Sequence, residues 1–135
     1  MVSLVSAGKR VRVVGSADQP HSFTYVPDYA RAMIAAARAR GAWDSVLHAP
    51  TGPAVTQRAL AQAFAAAAGT TAMVSSAPAL VLSAGALVPG SLRELAETRY
   101  QFEAPFVMDS HHTEALLGLS PTALPEAVAW WRAQA

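Results

Sequence analysis

Residues 22–30 read SFTYVPDYA, and the change of pattern inside this stretch sets the reading of the whole chain. Ser22 to Val26 is dense in aromatic and β-branched side chains, the composition of a strand. Pro27 cannot donate to a ladder and ends it. Asp28 then offers a carboxylate to the free backbone N–H groups of the turn that follows, as an N-cap does. From Tyr29 the apolar period turns helical: Ala30, Met33, Ile34 and Ala37 share one face, flanked by Arg31 and Arg38. The corner predicts a hairpin before it and helices around short strands after it.

Before the corner, residues 10–14 (RVRVV) alternate charged and apolar side chains, and Gly15-Ser16-Ala17-Asp18-Gln19-Pro20 is turn chemistry. The expected hairpin therefore pairs 10–14 with 22–26 across a long loop. Lys9, Arg10 and Arg12 read as the solvated guard of an edge strand. No basic or aromatic pattern continues them into a phosphate-binding stripe.

After the corner, a helix runs over about 29–40 and stops at Gly41. Residues 45–49 (SVLHA) form a short strand ended by Pro50. Thr56 caps a helix to Ala68, with Leu60, Ala63, Phe64 and Ala67 inward and Gly69 closing it; 73–75 is another short strand. An apolar helix starts near Pro78 and stops at Pro89-Gly90. Ser91-Leu92-Arg93-Glu94 is a capping box opening a helix to about Phe102. Residues 106–108 make a short strand, and Asp109 caps a helix to Leu117 closed by Gly118. Thr122 caps the last helix, whose inward face is Leu124, Ala127, Val128 and Trp131.

The chain has 135 residues, enough for one domain with a modest core. The 53% hydrophobic content overstates that core, because alanine supplies 31 residues and a buried methyl removes little apolar area from water. A net charge of +1 provides no field to recruit nucleic acid or an anionic membrane. Without cysteine, disulfides, thiolate nucleophiles and the common cysteine-containing zinc sites are excluded. The opening MVSLVSAGKR is too short an apolar run for a signal peptide, and 77–89 falls short of the ~20 residues of a membrane helix. A cytoplasmic protein without membrane or nucleic-acid partners is expected.

The phosphate-cradling patterns GxGxxG and GxxxxGK[ST] are absent, as is the GxSxG elbow of serine hydrolases. His111 and His112 are adjacent, so on a helix they point about 100° apart and do not form an i, i+4 ligand pair. His48 reads as a hydrogen-bonded structural histidine. Glu94 and Glu97 follow a cap beside Arg93 and read as a solvated surface group rather than a catalytic pair.

Read together, these pieces resemble the C-terminal part of the NAD(P)-dependent epimerase/dehydratase family, the extended short-chain dehydrogenase/reductases. Four local patterns carry the resemblance, in the family's order and over residues 10–133. The turn Val14-Gly15-Ser16-Ala17-Asp18-Gln19 followed by Phe23-Thr24-Tyr25-Val26-Pro27-Asp28-Tyr29-Ala30 is similar to the family's glycine turn and strand–Val–x–Asp–x–Ala helix start. Val46-Leu47-His48-Ala49-Pro50 leading to Thr56 is similar to its next strand and capped helix. Asp109-Ser110 with Leu117-Gly118-Leu119-Ser120-Pro121 is similar to its Asp-Ser helix and Leu-Gly-x-x-Pro motif, and Leu124-Pro125-Glu126-Ala127-Val128-Ala129-Trp130 to its closing helix.

The resemblance implies an α/β (α+β-like) small lobe: a front hairpin, short strands and about five or six Ala-rich helices, without the family's Rossmann domain. It also implies what is missing. Family members bind NAD(P) through a glycine-rich turn and use a Tyr-x-x-x-Lys pair; here Lys9 is the single lysine, and none of Tyr25, Tyr29 and Tyr100 stands four residues before it. No catalytic, cofactor-binding or metal residues are therefore assigned, and the chain alone is not expected to bind NAD(P). What is implied is the substrate-binding portion of an oxidoreductase, with a Rossmann-domain partner or missing N-terminal half, and possible self-association. His21, Tyr25 and Arg93 are the candidate substrate contacts. His21 falls where nucleotide-sugar members carry a phosphate-holding arginine, which points to a smaller or less charged substrate. Arg93 has the alternative of a surface ion pair with Glu97, and Tyr25 that of a core aromatic. The alternative function is a stand-alone, non-catalytic small-molecule-binding or interaction module derived from the same lobe.

Overall fold

A computed structural model of the chain describes residues 1–76 and 100–134. The expected apolar helix after Pro78 and the capping box at 91–94 lie outside the described residues. The architecture is mixed α/β, with six α-helices and a few short strands among the described residues. These fall into two compact units: Met1–His21 with Val55–Phe106, and Ser22–Ala54 with Val107–Ala135.

The first unit opens with a helix the sequence pattern did not announce, α1 (Val2–Ser6), which buries Val5 completely. Strand β1 (Val11–Val13) places Val11 and Val13 inward and Arg12 outward, the period-two alternation of a half-buried strand. Strand β2 is only Pro20–His21, and β3 is Val55–Thr56. Helix α3 (Gln57–Ala68) begins and ends as its sequence dictates. The Thr56 hydroxyl accepts from the Ala59 N–H at 3.0 Å, and Gly69 closes the last turn in the left-handed region. Strand β4 (Val74–Ser76) and the single turn α4 (Tyr100–Glu103) complete the described part. Val5, Val11, Val13, Ala17, Ala61 and Ala65 form one apolar cluster, with Phe64, Ala72 and Val74 packed against it. Because Ala61 and Ala65 lie inward, the buried face of α3 sits about one residue round from the expected Ala63–Ala67 line; Leu60 is buried as expected.

The expected hairpin between 10–14 and 22–26 does not form. β1 pairs in parallel with β4, Val11 opposite Val74 and Val13 opposite Ser76. β2 pairs antiparallel with β3, Pro20 opposite Thr56. Two causes combine. Val11 and Val13 reach the alanine face of α3 only in the β1–β4 sheet, and burial fixes the pairing. Residues 22–25 lie outside any strand, and Val26, the last residue of the expected one, already opens the next helix. Of the expected strand at 106–108, only a parallel bridge between Phe106 and His21 is present.

In the second unit, α2 spans Val26–Arg38, three residues ahead of expectation, with Tyr25 as the extended N-cap residue and Pro27 in the first turn. Proline is suited to that turn because its missing N–H would have no helical partner there. A 3₁₀ turn (Arg40–Ala42) follows. Residues 45–49 do not form the expected strand, since a strand needs a neighbour and 46–48 make no backbone hydrogen bond among the described residues. Helix α5 (His111–Leu117) ends at left-handed Gly118, and α6 is Leu124–Arg132. Val128 of α6 is buried on the expected face. Helix α2, in contrast, turns the expected inward residues outward: Met33 is 56% exposed, Ile34 is similar, and Ala30 and Ala37 are exposed, while Asp28 and Ala32 are buried. No helix of the described residues is long and apolar enough to cross a membrane.

Candidate functional site

The second unit is built around polar side chains. Asp28, expected to cap α2, instead lies inside its first turn with 2% exposure. Its Oδ2 accepts the Thr122 backbone N–H at 2.6 Å, and its Oδ1 accepts the Thr122 hydroxyl at 2.7 Å and an Arg31 guanidinium N–H. Thr122 is accordingly not the cap of α6, a place taken by Ala123. Burial pushes the Asp28 carboxyl up, but the Thr122 backbone, the Thr122 hydroxyl and Arg31 together outweigh it and hold the carboxyl below its ordinary range. Asp28 is therefore a fixed anion joining α2 to the approach to α6.

A second buried chain runs through hydroxyls. The Thr51 hydroxyl donates to the Ala49 carbonyl at 2.9 Å, so the Thr24 hydroxyl, 2.6 Å away, donates to it. The Thr51 N–H donates to Ser110 Oγ at 3.1 Å, and the Ser110 hydroxyl donates to the Glu114 carboxylate at 2.6 Å. No buried side-chain nitrogen or oxygen of the described residues lacks a partner. These residues were not singled out from the sequence. The usable signal was the i, i+4 spacing of Ser110 and Glu114 beside the Asp-Ser helix start.

Between α2, the 3₁₀ turn, residues 45–49 and α5 lies a cavity of about 280 Å³. Tyr29, Met33, Ala36 and Leu117 supply apolar wall, and His48 and Thr113 polar wall. The His48 Nδ1–H donates to the Asp109 carbonyl at 2.7 Å. Asp109 also accepts the backbone N–H and the Nδ1–H of exposed His111, and this bonding pulls the Asp109 carboxyl down and pushes the His111 ring up. No group of three His, Asp or Glu side chains able to hold a metal ion occurs among the described residues.

Tyr25 packs edge-on against Trp130, ring centroids 5.7 Å apart. Burial, then the nearby Asp28 charge, push its phenol up. That is the reverse of the change a tyrosine base needs, so Tyr25 acts as a neutral hydroxyl. Its hydroxyl makes no hydrogen bond among the described residues.

His21 belongs to the first unit and is 7% exposed. Its Nδ1 lies 3.0 Å from the Gln19 carbonyl oxygen and its Nε2 2.9 Å from that of Gln101. Arg93 lies outside the described residues.

The comparisons with known proteins bear on the fold. No family model matches, and no curated protein matches. Among solved structures, a nucleoside-diphosphate-sugar epimerase from Staphylococcus aureus superposes with a TM-score of 0.67 at 17% identity, over 93% of this chain. The chain has the fold of part of that epimerase. It spans 45% of the epimerase's length, so more than half of that protein has no counterpart here.

Proposed function

We propose that this chain is the substrate-side lobe of an NAD(P)-dependent epimerase/dehydratase-type oxidoreductase, completed by a Rossmann-domain partner or a further half of the same protein. The observation that carries the reading is the superposition of nearly the whole chain on less than half of an epimerase. The absence of a glycine-rich phosphate turn and of Tyr-x-x-x-Lys supports it, because catalysis needs both from elsewhere. So does the second unit's surface: Tyr29, Met33, Ile34, Trp43 and Val46 are exposed beside backbone at 46–48 that has no ladder partner among the described residues. Apolar side chains next to unpaired backbone suit the edge and face of a partner's sheet.

In this reading the Tyr25 hydroxyl donates to substrate. His21, a candidate contact in the first unit, has both ring nitrogens turned to backbone carbonyls, and Arg93 meets an anionic group if it is not paired with Glu97. The substrate is smaller or less charged than a nucleotide sugar. Isothermal titration of the purified chain with NADH and NADPH tests the proposal. No binding is expected from the chain alone, and tight binding overturns it. A closed, cooperatively melting monomer on size-exclusion chromatography favours the alternative of a stand-alone binding module.

A further inference from the structure

The cavity of about 280 Å³ lies wholly within the second unit, and its helical walls repeat at helical spacing. Tyr29, Met33 and Ala36 stand at i, i+4 and i+7 on α2, and Thr113 and Leu117 at i and i+4 on α5, so each helix turns one face to it. An apolar cavity of ~150 Å³ already takes benzene, so one ring with a short substituent fits here. No Asp, Glu, Lys or Arg side chain lines the cavity, and an ionised ligand would enter without a fixed counter-charge.

One polar group in the wall is unanswered. Thr113 is only 2% exposed, yet its hydroxyl makes no hydrogen bond among the described residues. No side-chain oxygen of those residues that is itself shut off from solvent lacks a partner, so the Thr113 oxygen still opens onto reachable space. The cavity that Thr113 lines supplies that space. The neighbouring polar walls are engaged elsewhere: the Ser45 hydroxyl donates to the Ala42 carbonyl at 2.7 Å, and the His48 Nδ1–H to the Asp109 carbonyl. Apolar walls around one hydrogen-bonding group that points inward are the build of a small-molecule site. We propose that the cavity binds a small, uncharged aromatic alcohol, its ring against Met33 and Leu117 and its hydroxyl on that of Thr113. A hydroxyl both donates and accepts, as the threonine does, so it answers whichever bond Thr113 lacks. The site stands apart from the proposed lobe role, because it needs neither a dinucleotide nor a partner.

The test is methyl NMR of the whole chain titrated with benzyl alcohol, toluene and benzoate. Benzyl alcohol is expected to shift the Met33, Leu117 and Thr113 methyl signals saturably in the millimolar range, and benzoate to leave them in place. T113V is expected to weaken benzyl alcohol about fivefold without weakening toluene, whereas T113S keeps the alcohol's affinity. Since the hydroxyl has no protein partner, T113V should leave the urea midpoint followed by tryptophan fluorescence unchanged or raised. The absence of a saturable shift with benzyl alcohol leaves the hydroxyl to water and overturns the inference, as does benzoate binding equally tightly. So does a T113V chain that binds the alcohol unchanged or loses alcohol and toluene alike. A lowered midpoint in T113V overturns it too, because the hydroxyl would then already hold part of the fold.

Discussion

The two units of this chain solve the same problem with opposite materials. The first closes an apolar cluster of its own, in which β1 and α1 meet the alanine face of α3. The second buries Asp28, Thr51, Ser110 and Thr113 and leaves Val26, Tyr29, Met33, Ile34, Trp43, Val46 and Trp130 exposed. The contrast teaches that the second unit ties its buried Asp28, Thr51 and Ser110 by directional hydrogen bonds around a small apolar share of Ala32, Ala42 and Val128, while larger apolar side chains stay at its surface.

Because Trp43, Trp130 and Trp131 all lie in the second unit, tryptophan fluorescence follows that unit and amide exchange follows the first. The strongest way to break the contrast is D28A. It strands the Thr122 groups and Arg31 and is expected to cost about 3 kcal/mol in urea unfolding followed by fluorescence, with first-unit exchange little changed. V11A is the matching lesion in the first unit, expected to cost about 2 kcal/mol by exchange and to leave the fluorescence midpoint in place. S110A removes the link between Thr51 and Glu114 and is expected to cost roughly 1 kcal/mol in the fluorescence transition. The smallest effect sharpens the contrast most. M33E and I34E should change stability by no more than about 0.5 kcal/mol. They should nevertheless abolish any concentration-dependent association seen by sedimentation.

Acid separates the units as well. The folded Asp28 carboxyl is held below its unfolded value, so its stabilisation is present above an unfolded pKa of about 3.9 and is lost as pH falls through the folded value. Tryptophan fluorescence should therefore report loss of the second unit on acidification below about pH 4, and D28N should remove that dependence. An unchanged acid transition in D28N would show that the Asp28–Thr122 junction is not what holds the unit.

Helix α3 was legible from sequence because both its ends are local events: a Thr56 hydroxyl facing a free N–H, and a glycine able to enter the left-handed region. The stop of α5 at Gly118 is legible for the same reason. Helix α1 went unseen because its short run makes sense only once Val5 finds the first unit's core. Of the candidate site, His21 and Tyr25 were picked out by position, but their engagements were not readable. The Gln101 carbonyl stands eighty residues from His21, and Trp130 is farther still along the chain from Tyr25.

By itself the sequence determined the mixed α/β character, the Thr56 cap and Gly69 stop of α3, the Gly118 stop of α5, the lack of cofactor and dyad motifs and the turn at Gly15, all set by bonds within a few residues. None of Asp28, Asp109 and Thr122, in contrast, takes the N-cap position expected of it. Only the tertiary structure decided that β1 takes β4 as its partner, that Asp28 is a buried anchor rather than a cap, and that the apolar face of α2 looks outward. Those outcomes depend on which distant surface reaches each residue first, and the hydrophobic pattern of one helix carries no information about what will cover it.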